Sequence, residues 1–281
     1  MDEFKELFIH WFNPRSLGVE GSQPLYIDFS RTLWIALILL ALRWTLDRTV
    51  VPLLEHWLAK HGRADVAMKF FDDAYIVVWA VATEVFAVYV TLNMNGECKP
   101  WSTASCFSGW PHHELVMPQR WYMLIMFHGY LHELVGGLIG IGPRVRTDMF
   151  IHHVATMTLI SSAYLLNLSR MGIMWQALFD ISNPLLHAAK MMNTLKFPQT
   201  ETIKWYVFAV FAMAFFVARI AMAPIAIVWP ALTQSTKVLP IEWSALPLSM
   251  MVVVCGIQWL WFYKIVRMAT GADKEPGKKT E

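Results

Sequence analysis

Two adjacent histidines, His152 and His153, lie inside an apolar run that is long enough to enter a membrane. A second apolar run follows at once and carries four polar residues, Asp180, Asn183, His187 and Lys190. Ionisable groups are costly in hydrocarbon, so each is expected to face a bundle interior or a wet cavity. Imidazole can serve as a base or as a nucleophile, and a carboxylate can fix its tautomer. These residue types therefore predict a reaction chamber inside a membrane.

The spacing of the polar residues predicts two facing stripes. Asp180, Asn183, His187 and Lys190 lie at i, i+3, i+7 and i+10, an arc of roughly 80° at about 100° per residue in one continuous helix. A similar stripe on the first run consists of His153, Thr156, Tyr164 and Asn167. Asp180 is expected to orient a histidine, and His187 is expected at a similar depth to the histidine pair.

The elements that must position these stripes are membrane helices. Hydrophobic residues make up 56% of the 281 residues, and the mean hydropathy is +0.42, which is typical of an all-α integral membrane protein. About seven transmembrane helices are predicted, at 32–57, 74–92, 119–142, 148–167, 171–194, 204–231 and 246–268. Pro224 and Pro230 are expected to kink or end the sixth span. The basic residues are too scattered to predict nucleic-acid binding.

Lys and Arg are more frequent in one set of loops, which includes Arg144, Arg146 and the tail after the last span. The positive-inside rule therefore predicts a cytosolic C-terminus. The terminal pair Lys278-Lys279 resembles the retrieval signal of proteins of the endoplasmic reticulum membrane. Cys98 and Cys106 share an outer loop, where an oxidising lumen permits a disulfide, and the sequence leaves open whether they are bonded. The first thirty residues lack the apolar core of a signal peptide.

The order of residues from 152 to 191 resembles the Lag1 motif of ceramide synthases, within the wider family of TLC-domain membrane proteins. The matching positions are His152, His153, Thr156, Tyr164, Asn167, Arg170, Gly172, Leu178, Asp180, Ser182, Leu186, Ala189, Lys190 and Met191. Weaker matches are Gly109-Trp110-Pro111, Tyr130, and Ala218-Arg219 with Pro224. The resemblance implies a TLC-type six-helix core plus an N-terminal helix. The predicted division is an N-terminal segment with the first helix at 1–68, a TLC domain at 69–269 and a cytosolic tail at 270–281.

The resemblance also implies an activity, which is transfer of a fatty acyl chain from acyl-CoA to the amine of a long-chain sphingoid base. The implied catalytic residues are His152, His153, Asp180 and Asn183. The implied substrate-binding residues are Tyr130, Tyr164, Asn167, Arg170, His187 and Lys190. The implied partners are fatty acyl-CoA as co-substrate, the sphingoid base, the lipid bilayer, and a second copy or an accessory subunit, with no cofactor. Three positions depart from the motif, because Phe179 replaces a histidine, Asn183 an aspartate and His187 a glutamate.

Two other classes of protein compete with this interpretation. The departures at 179, 183 and 187 favour a non-catalytic TLC-domain protein that binds or senses lipids. His128 and His132, at i and i+4, suggest a histidine-metal lipid oxidoreductase. The histidine boxes of that class are incomplete, because Met149 stands where the HxxHH box needs a histidine. We therefore predict no metal site, and we expect His128 and His132 to be packing residues with satisfied hydrogen bonds.

Overall fold

The computed structural model describes residues 24–271, which form α-helices joined by short loops, with no β-strand among them. The helices are α1 Ile27–Arg31, α2 Trp34–Ala59, α3 Ala67–Asn93, α4 Met117–Ile139, α5 Thr147–Leu165, α6 Ser169–Asp180, α7 Asn183–Leu195, α8, which begins as Glu201–Phe215, and α9 Ile241–Thr270. The all-α prediction is confirmed. The dilysine at 278–279 and most of the region examined for a signal peptide lie outside the described residues.

Four helical stretches within the described residues are long and apolar enough to cross a membrane, namely Ile27–Ala59, Ala64–Asn93, Pro198–Val238 and Ile241–Thr270. Large apolar side chains on them remain exposed, including Val78, Val85, Ile225 and Leu260. Lipid is as apolar as these side chains, so exposure to it has little cost. The more polar helices α4 to α7 carry the buried histidines and the buried Asp180. The bundle therefore places its apolar helices toward lipid and its polar helices toward the core.

The prediction of a single helix at 171–194 is wrong, because the structure has two helices there, α6 and α7. The division falls at Ile181 and Ser182, immediately before Asn183-Pro184. Proline has no amide hydrogen and its ring crowds the preceding turn, so a helix that reaches this point cannot keep its bonding pattern. Asp180 is the last residue of α6 and Asn183 the first of α7. The predicted stripe is therefore interrupted at its two catalytic candidates.

Pro224 and Pro230 were expected to kink or end the sixth span, and the structure shows that they interrupt its α-helical bonding without ending it. Helix α8 continues to Val238 through three π-helical segments, Phe216–Met222, Pro224–Val228 and Ala231–Ser235. A π-helix bonds each amide to the carbonyl five residues earlier, and such segments widen the helix locally. The altered bonding accommodates prolines that a regular α-helix would not.

The loops gather at two ends of the bundle. One end, which we call the basic end, contains the loops 60–66, 140–146 and 196–200 and the end of α9. There the Arg63 side chain donates a hydrogen bond to the Thr194 carbonyl at 2.8 Å, and Lys264 Nζ lies 3.9 Å from Asp148. From residue 24 to residue 271 the chain passes back and forth between this end and its opposite.

The opposite end, which we call the disulfide end, contains residues 24–26, 94–116, 166–168 and 239–240. Cys98 and Cys106 are bonded to each other there, which resolves the pairing that the sequence left open. The loop is tied to the helix ends, because Trp110 Nε1 donates to the Leu166 carbonyl at 2.7 Å and the Asn95 amide donates to the Arg170 carbonyl at 3.1 Å. The disulfide end is therefore a packed cap on the bundle.

Candidate active site

His153 lies in the packed interior of the bundle and contacts a carboxylate. Its side chain is 4% exposed, and its Nε2 lies 3.7 Å from Glu133 Oε2 on α4. The ring of Tyr130, one turn before Glu133 on the same helix, meets the His153 ring edge-on with 5.4 Å between centroids. His153 Nδ1 is buried and makes no hydrogen bond to the protein. One ring nitrogen thus faces a carboxylate, while the other is left for a bound molecule.

His152 has a different environment from its neighbour. Its ring packs against Trp261 of α9 at 5.1 Å between centroids and lies 6.2 Å from the Tyr130 ring. No carboxylate within ion-pairing distance of His152 occurs among residues 24–271, although its Nδ1 is buried without a hydrogen bond. The structure brings both histidines to Tyr130 and distinguishes His153 by its acidic partner.

The break between α6 and α7 builds a second polar cluster. Asn183 Nδ2 donates to Asp180 Oδ1 at 2.9 Å, and Asn183 Oδ1 accepts a hydrogen bond from Arg219 of α8. Arg219 also donates to Gln258 of α9 at 2.9 Å. Asp180, Arg219 and Gln258 are all buried. A buried guanidinium needs a compensating charge, and Asp180 interacts electrostatically with it. Asn183 bridges the two.

His187 does not join the histidine pair. Its Nδ1 lies 2.7 Å from Asp73 Oδ1 on α3, so its ring pairs with a carboxylate of another helix and not with His152 or His153. The cause is a contact between residues far apart in sequence, which helical periodicity does not reveal. Lys190, one turn further toward the basic end, is exposed and interacts electrostatically with Asp73. His187, Asp73 and Lys190 thus form a charged group next to the basic end.

Tyr164 and Asn167 lie at the disulfide end, away from the histidines. Tyr164 is eleven residues beyond His153 on α5, or about 16 Å at 1.5 Å per residue, and its hydroxyl donates to the Asp28 carboxylate. Asn167 lies beyond the end of α5, at a φ of 53°, and its amide donates to the carbonyls of Pro111 and His113 at 2.9 and 3.0 Å. Tyr164 therefore keeps the face of α5 that carries His153, whereas Asn167 leaves the predicted stripe because the helix ends at Leu165. Their role in binding substrate stays a prediction.

Arg170, a further predicted substrate residue, also belongs to the disulfide end. Its guanidinium interacts electrostatically with His113 in the loop before α4. Burial, with a smaller effect of Arg170, lowers the pKa of His113 to about 4. His113 is therefore neutral near neutral pH, and a second cation beside Arg170 is avoided.

His128 and His132 make separate hydrogen bonds. His128 Nε2 lies 2.9 Å from the Thr32 hydroxyl. His132 contacts the Gly129 carbonyl, and its Nε2 lies 3.3 Å from the Tyr75 hydroxyl. These contacts match the expected packing role. Within residues 24–271, no three side chains of His, Cys, Asp or Glu are grouped so that they could hold a metal ion.

An apolar cavity lies between the level of His153 and the disulfide end. It lies between α5, α6, α8 and α9, and its lining includes Leu159, Gly172, Trp175, Ile227 and Met251. Leu159 is six residues beyond His153 on α5, or about 9 Å along the axis. A hydrocarbon chain is the kind of ligand that such a lining accommodates.

Glu133, Arg219, Gln258 and Asp73 were not among the site residues predicted from the sequence. Glu133, Arg219 and Asp73 are ionisable groups within apolar spans, which is itself a signal of function. The motif around the histidines does not include Glu133 or Asp73, and Arg219 fell only in a weak flanking match. Glu84 belongs with them, because both of its carboxylate oxygens are buried without a hydrogen bond and it interacts electrostatically with Asp180 and Arg219.

Comparison with known proteins gives the relatives of this architecture. A family model described as the TLC domain matches residues 69–267. Mouse ceramide synthase 5 is 28% identical over 175 residues, which cover 61% of this chain and 41% of that protein. Ceramide synthase 1 LOH3 of Arabidopsis thaliana is 26% identical over 292 residues, covering 92% of this chain and 91% of that protein. Tomato Alternaria stem canker resistance protein 1 is 28% identical, with 92% and 90% covered. The chain thus spans about two fifths of the mouse relative and about nine tenths of the two plant relatives.

Proposed function

The chain belongs to the TLC-domain family, and from this premise we propose that it is a ceramide synthase-like N-acyltransferase. The reaction joins a fatty acyl chain from acyl-CoA to the amine of a long-chain sphingoid base. The observation that carries the proposal is the buried His153 within a membrane bundle, which has a carboxylate near one ring nitrogen and makes no hydrogen bond to the protein through the other. Similarity to ceramide synthases along most of the chain supports the same reaction.

The reaction requires a base and a path for one proton. The amine nitrogen forms a bond to the acyl carbon, the carbon–sulfur bond breaks, and its electron pair leaves with the sulfur of CoA. His153 takes the proton that the amine loses and delivers it to the thiolate. If the imidazole first takes the acyl group itself, a bond from its nitrogen to the acyl carbon forms as the carbon–sulfur bond breaks, and this new bond breaks when the amine forms the amide. Both routes need a neutral imidazole with a free nitrogen, as His153 has.

The surroundings of His153 suit a charged CoA group on one side and a hydrocarbon chain on the other. His153 and Glu133 each lie six residues from the basic end of their helices, or about 9 Å deep at 1.5 Å per residue. A water-soluble CoA group entering from the basic end would meet Lys190 and Arg144, whose charges suit phosphates. The apolar cavity beyond Leu159 suits a hydrocarbon chain. No cofactor is needed, since acyl-CoA is a co-substrate.

The proposed location is the endoplasmic reticulum membrane, with the basic end and the C-terminus in the cytosol. Three observations support it, namely the excess of basic residues in the loops 60–66, 140–146 and 196–200, the disulfide at the opposite end, and the dilysine sequence near the C-terminus. A second copy of the chain or an accessory subunit remains part of the proposal through the resemblance to ceramide synthases alone.

A non-catalytic lipid-binding protein is the second candidate, and Asn183 is the observation that favours it. Where the motif has an aspartate, this chain has a carboxamide that bridges Asp180 and Arg219. A carboxamide carries no charge and takes up no proton. Under this alternative, the cavity holds a lipid that is not transformed.

Purified protein in lipid nanodiscs, given labelled acyl-CoA and sphinganine, separates the two candidates. The wild type is expected to form the N-acyl product, and His153→Ala is expected to lower the rate at least about 100-fold, the usual scale for loss of a general base. The control Glu55→Gln alters an exposed carboxylate on α2 and should be fully active. A folded wild type that acylates no sphingoid base, yet retains a lipid, would establish the second candidate.

A further inference from the structure

The carboxylate of Glu133 lies outside the Lag1 motif and next to the His153 ring. We propose that Glu133 is the positioning residue of His153, supplying the negative charge that position 183 lacks. The proposal rests on the proposed function, since it assigns Glu133 a role in that reaction. Its starting point is the 3.7 Å separation between His153 Nε2 and Glu133 Oε2.

The identity of the contacting atoms determines which nitrogen holds the proton. A carboxylate only accepts hydrogen bonds, so the imidazole nitrogen that faces it is the protonated one. Protonated Nε2 leaves the lone pair on Nδ1, which is buried and has no hydrogen bond to the protein. At 3.7 Å the contact is longer than a hydrogen bond, and such contacts often shorten when substrate binds. Glu133 therefore selects Nδ1 as the base or nucleophile.

Two other buried acidic residues, Asp180 and Asp73, have partners other than the histidine pair. Asn183 uses its amide nitrogen on Asp180 and its oxygen on Arg219. The charge of Asp180 therefore faces Arg219 through Asn183. Asp73 contacts His187 at 2.7 Å. Among residues 24–271, Glu133 is the carboxylate within 4 Å of either histidine of the pair.

Helix α4 holds the carboxylate at the required place. Tyr130 and Glu133 are at i and i+3, so they lie on one face of the helix, and both contact the His153 ring. Glu133 and His153 also lie at the same depth, about 9 Å from the basic end. The aromatic ring of Tyr130 limits the rotation of the imidazole, and the Glu133 carboxylate determines which ring nitrogen of His153 carries the proton. Together they position His153 in place of an acidic partner at position 183 on α7.

The experiment contrasts charge with size at position 133. Glu133→Gln keeps the size and loses the charge, whereas Glu133→Asp keeps the charge and loses one methylene. We expect Glu133→Gln to lower kcat about 100-fold with little change in KM, and Glu133→Asp to recover most of that loss. A purely structural role would give the reverse order, since Gln fits the site better than Asp. Equal activity of Glu133→Gln and wild type would overturn the proposal and leave the proposed function standing.

A second readout does not depend on the enzymatic reaction. Diethyl pyrocarbonate modifies neutral imidazole nitrogens, and peptide mass spectrometry gives separate rates for His152 and His153. We expect Glu133→Gln to slow modification of His153 roughly tenfold, because the imidazole loses the partner that makes it nucleophilic, and to leave His152 unchanged. An unchanged rate at His153 would overturn the proposal. If the wild type has no acyltransferase activity, the proposed function fails and this rate alone decides the role of Glu133.

Discussion

The two histidines His152 and His153 have different surroundings although their side chains are identical. Successive residues of a helix point about 100° apart, so only one of the two can face α4 directly. His153 faces Glu133 and Tyr130, while His152 packs against Trp261. A carboxylate next to an imidazole fixes its tautomer and stabilises the cation formed when it accepts a proton. Under the proposed function, the chemistry is therefore expected at His153.

Alanine substitution of the histidines tests this difference. His153→Ala should reduce kcat at least about 100-fold, and His152→Ala only about tenfold, because the former removes the proton acceptor and the latter a packing contact. His128→Ala should have still less effect on the rate, since His128 hydrogen bonds to Thr32. The rates are measured in nanodiscs with saturating substrates. A larger loss at His152 than at His153 would reverse the assignment.

Asp180 and Arg219 are expected to stabilise the fold as a pair. Asp180→Asn removes one of the carboxylates that interact electrostatically with the buried Arg219 guanidinium, which should lower the free energy of unfolding by roughly 3 kcal/mol. Arg219→Gln should have a similar cost. The double variant should lose less than the sum of the two, because each single variant already removes the interaction between the two side chains. Thermal unfolding in detergent measures all three, and strictly additive losses would contradict the pairing.

Whole elements position these residues through their ends and interruptions. The break before Pro184 separates α6 from α7 and places Asp180 and Asn183 on either side of it. At the disulfide end, the buried Asp28 accepts hydrogen bonds from Arg120 at 3.0 Å and from Tyr164. That contact fixes α1 against α4 and α5. Helix ends, rather than helix faces, thus carry much of the polar structure.

The loop of the disulfide end should confer a pH dependence on stability. His113 has its pKa lowered to about 4 by burial, whereas an unfolded histidine titrates near 6.5. Between these values the unfolded chain binds more protons, so the free energy of unfolding is fully retained above about 6.5 and falls as pH decreases toward 4.

The measurement compares thermal unfolding of the wild type and two variants at pH 7.5 and pH 5. On acidification the Tm of the wild type should fall by roughly 4 °C more than that of His113→Asn. His112→Asn is the matched control, because His112 is exposed next to His113, and it should behave as the wild type does. An identical decrease for His113→Asn and the wild type would show that His113 contributes nothing to the pH dependence.

The positions of the helices follow from sequence more readily than the contacts between them. Apolar runs mark the spans, because each must match the thickness of the hydrocarbon layer, and the predicted limits lie within a few residues of most observed ones. The pairing of His187 with Asp73 joins positions 114 residues apart, and no periodicity within one helix encodes it. Glu133 was not predicted as a site residue for the same reason, since its partner His153 lies on the next helix. The break at Ile181-Ser182 had a local signal in Asn183-Pro184.

On the scale of the whole molecule, the two ends differ in chemistry. The basic end has the loop cations and the shallow approach to His153 and Glu133. The disulfide end is closed by hydrogen bonds from Trp110, Asn95 and Asn167. A charged substrate can therefore approach from the basic end, and an apolar chain can occupy the cavity beneath the closed end.

Labelling of introduced cysteines tests which end faces the cytosol. In a Cys255→Ser background, Arg144→Cys places a thiol at the basic end and Lys237→Cys places one near the disulfide end. An impermeant maleimide added to sealed microsomes should label Arg144→Cys directly and Lys237→Cys only after detergent is added, as the positive-inside rule predicts. The opposite pattern would invert the proposed orientation and the route of acyl-CoA.

The placement of apolar helices outside and polar helices inside has a consequence for biogenesis. A charged residue at the centre of a span costs about 2.5–3.5 kcal/mol on insertion, so α4, with Glu133 and Arg120, is poorly held by the bilayer alone. The stretches Ala64–Asn93 and Ile241–Thr270 are apolar enough to remain there unaided. The central helices gain partners for their ionisable groups only when Asp28, His153 and Arg219 are in place, and two of these lie later in the chain than α4. Synthesis must therefore deliver α4 to the membrane before His153, the partner of Glu133, exists, and its retention until then falls to the insertion machinery.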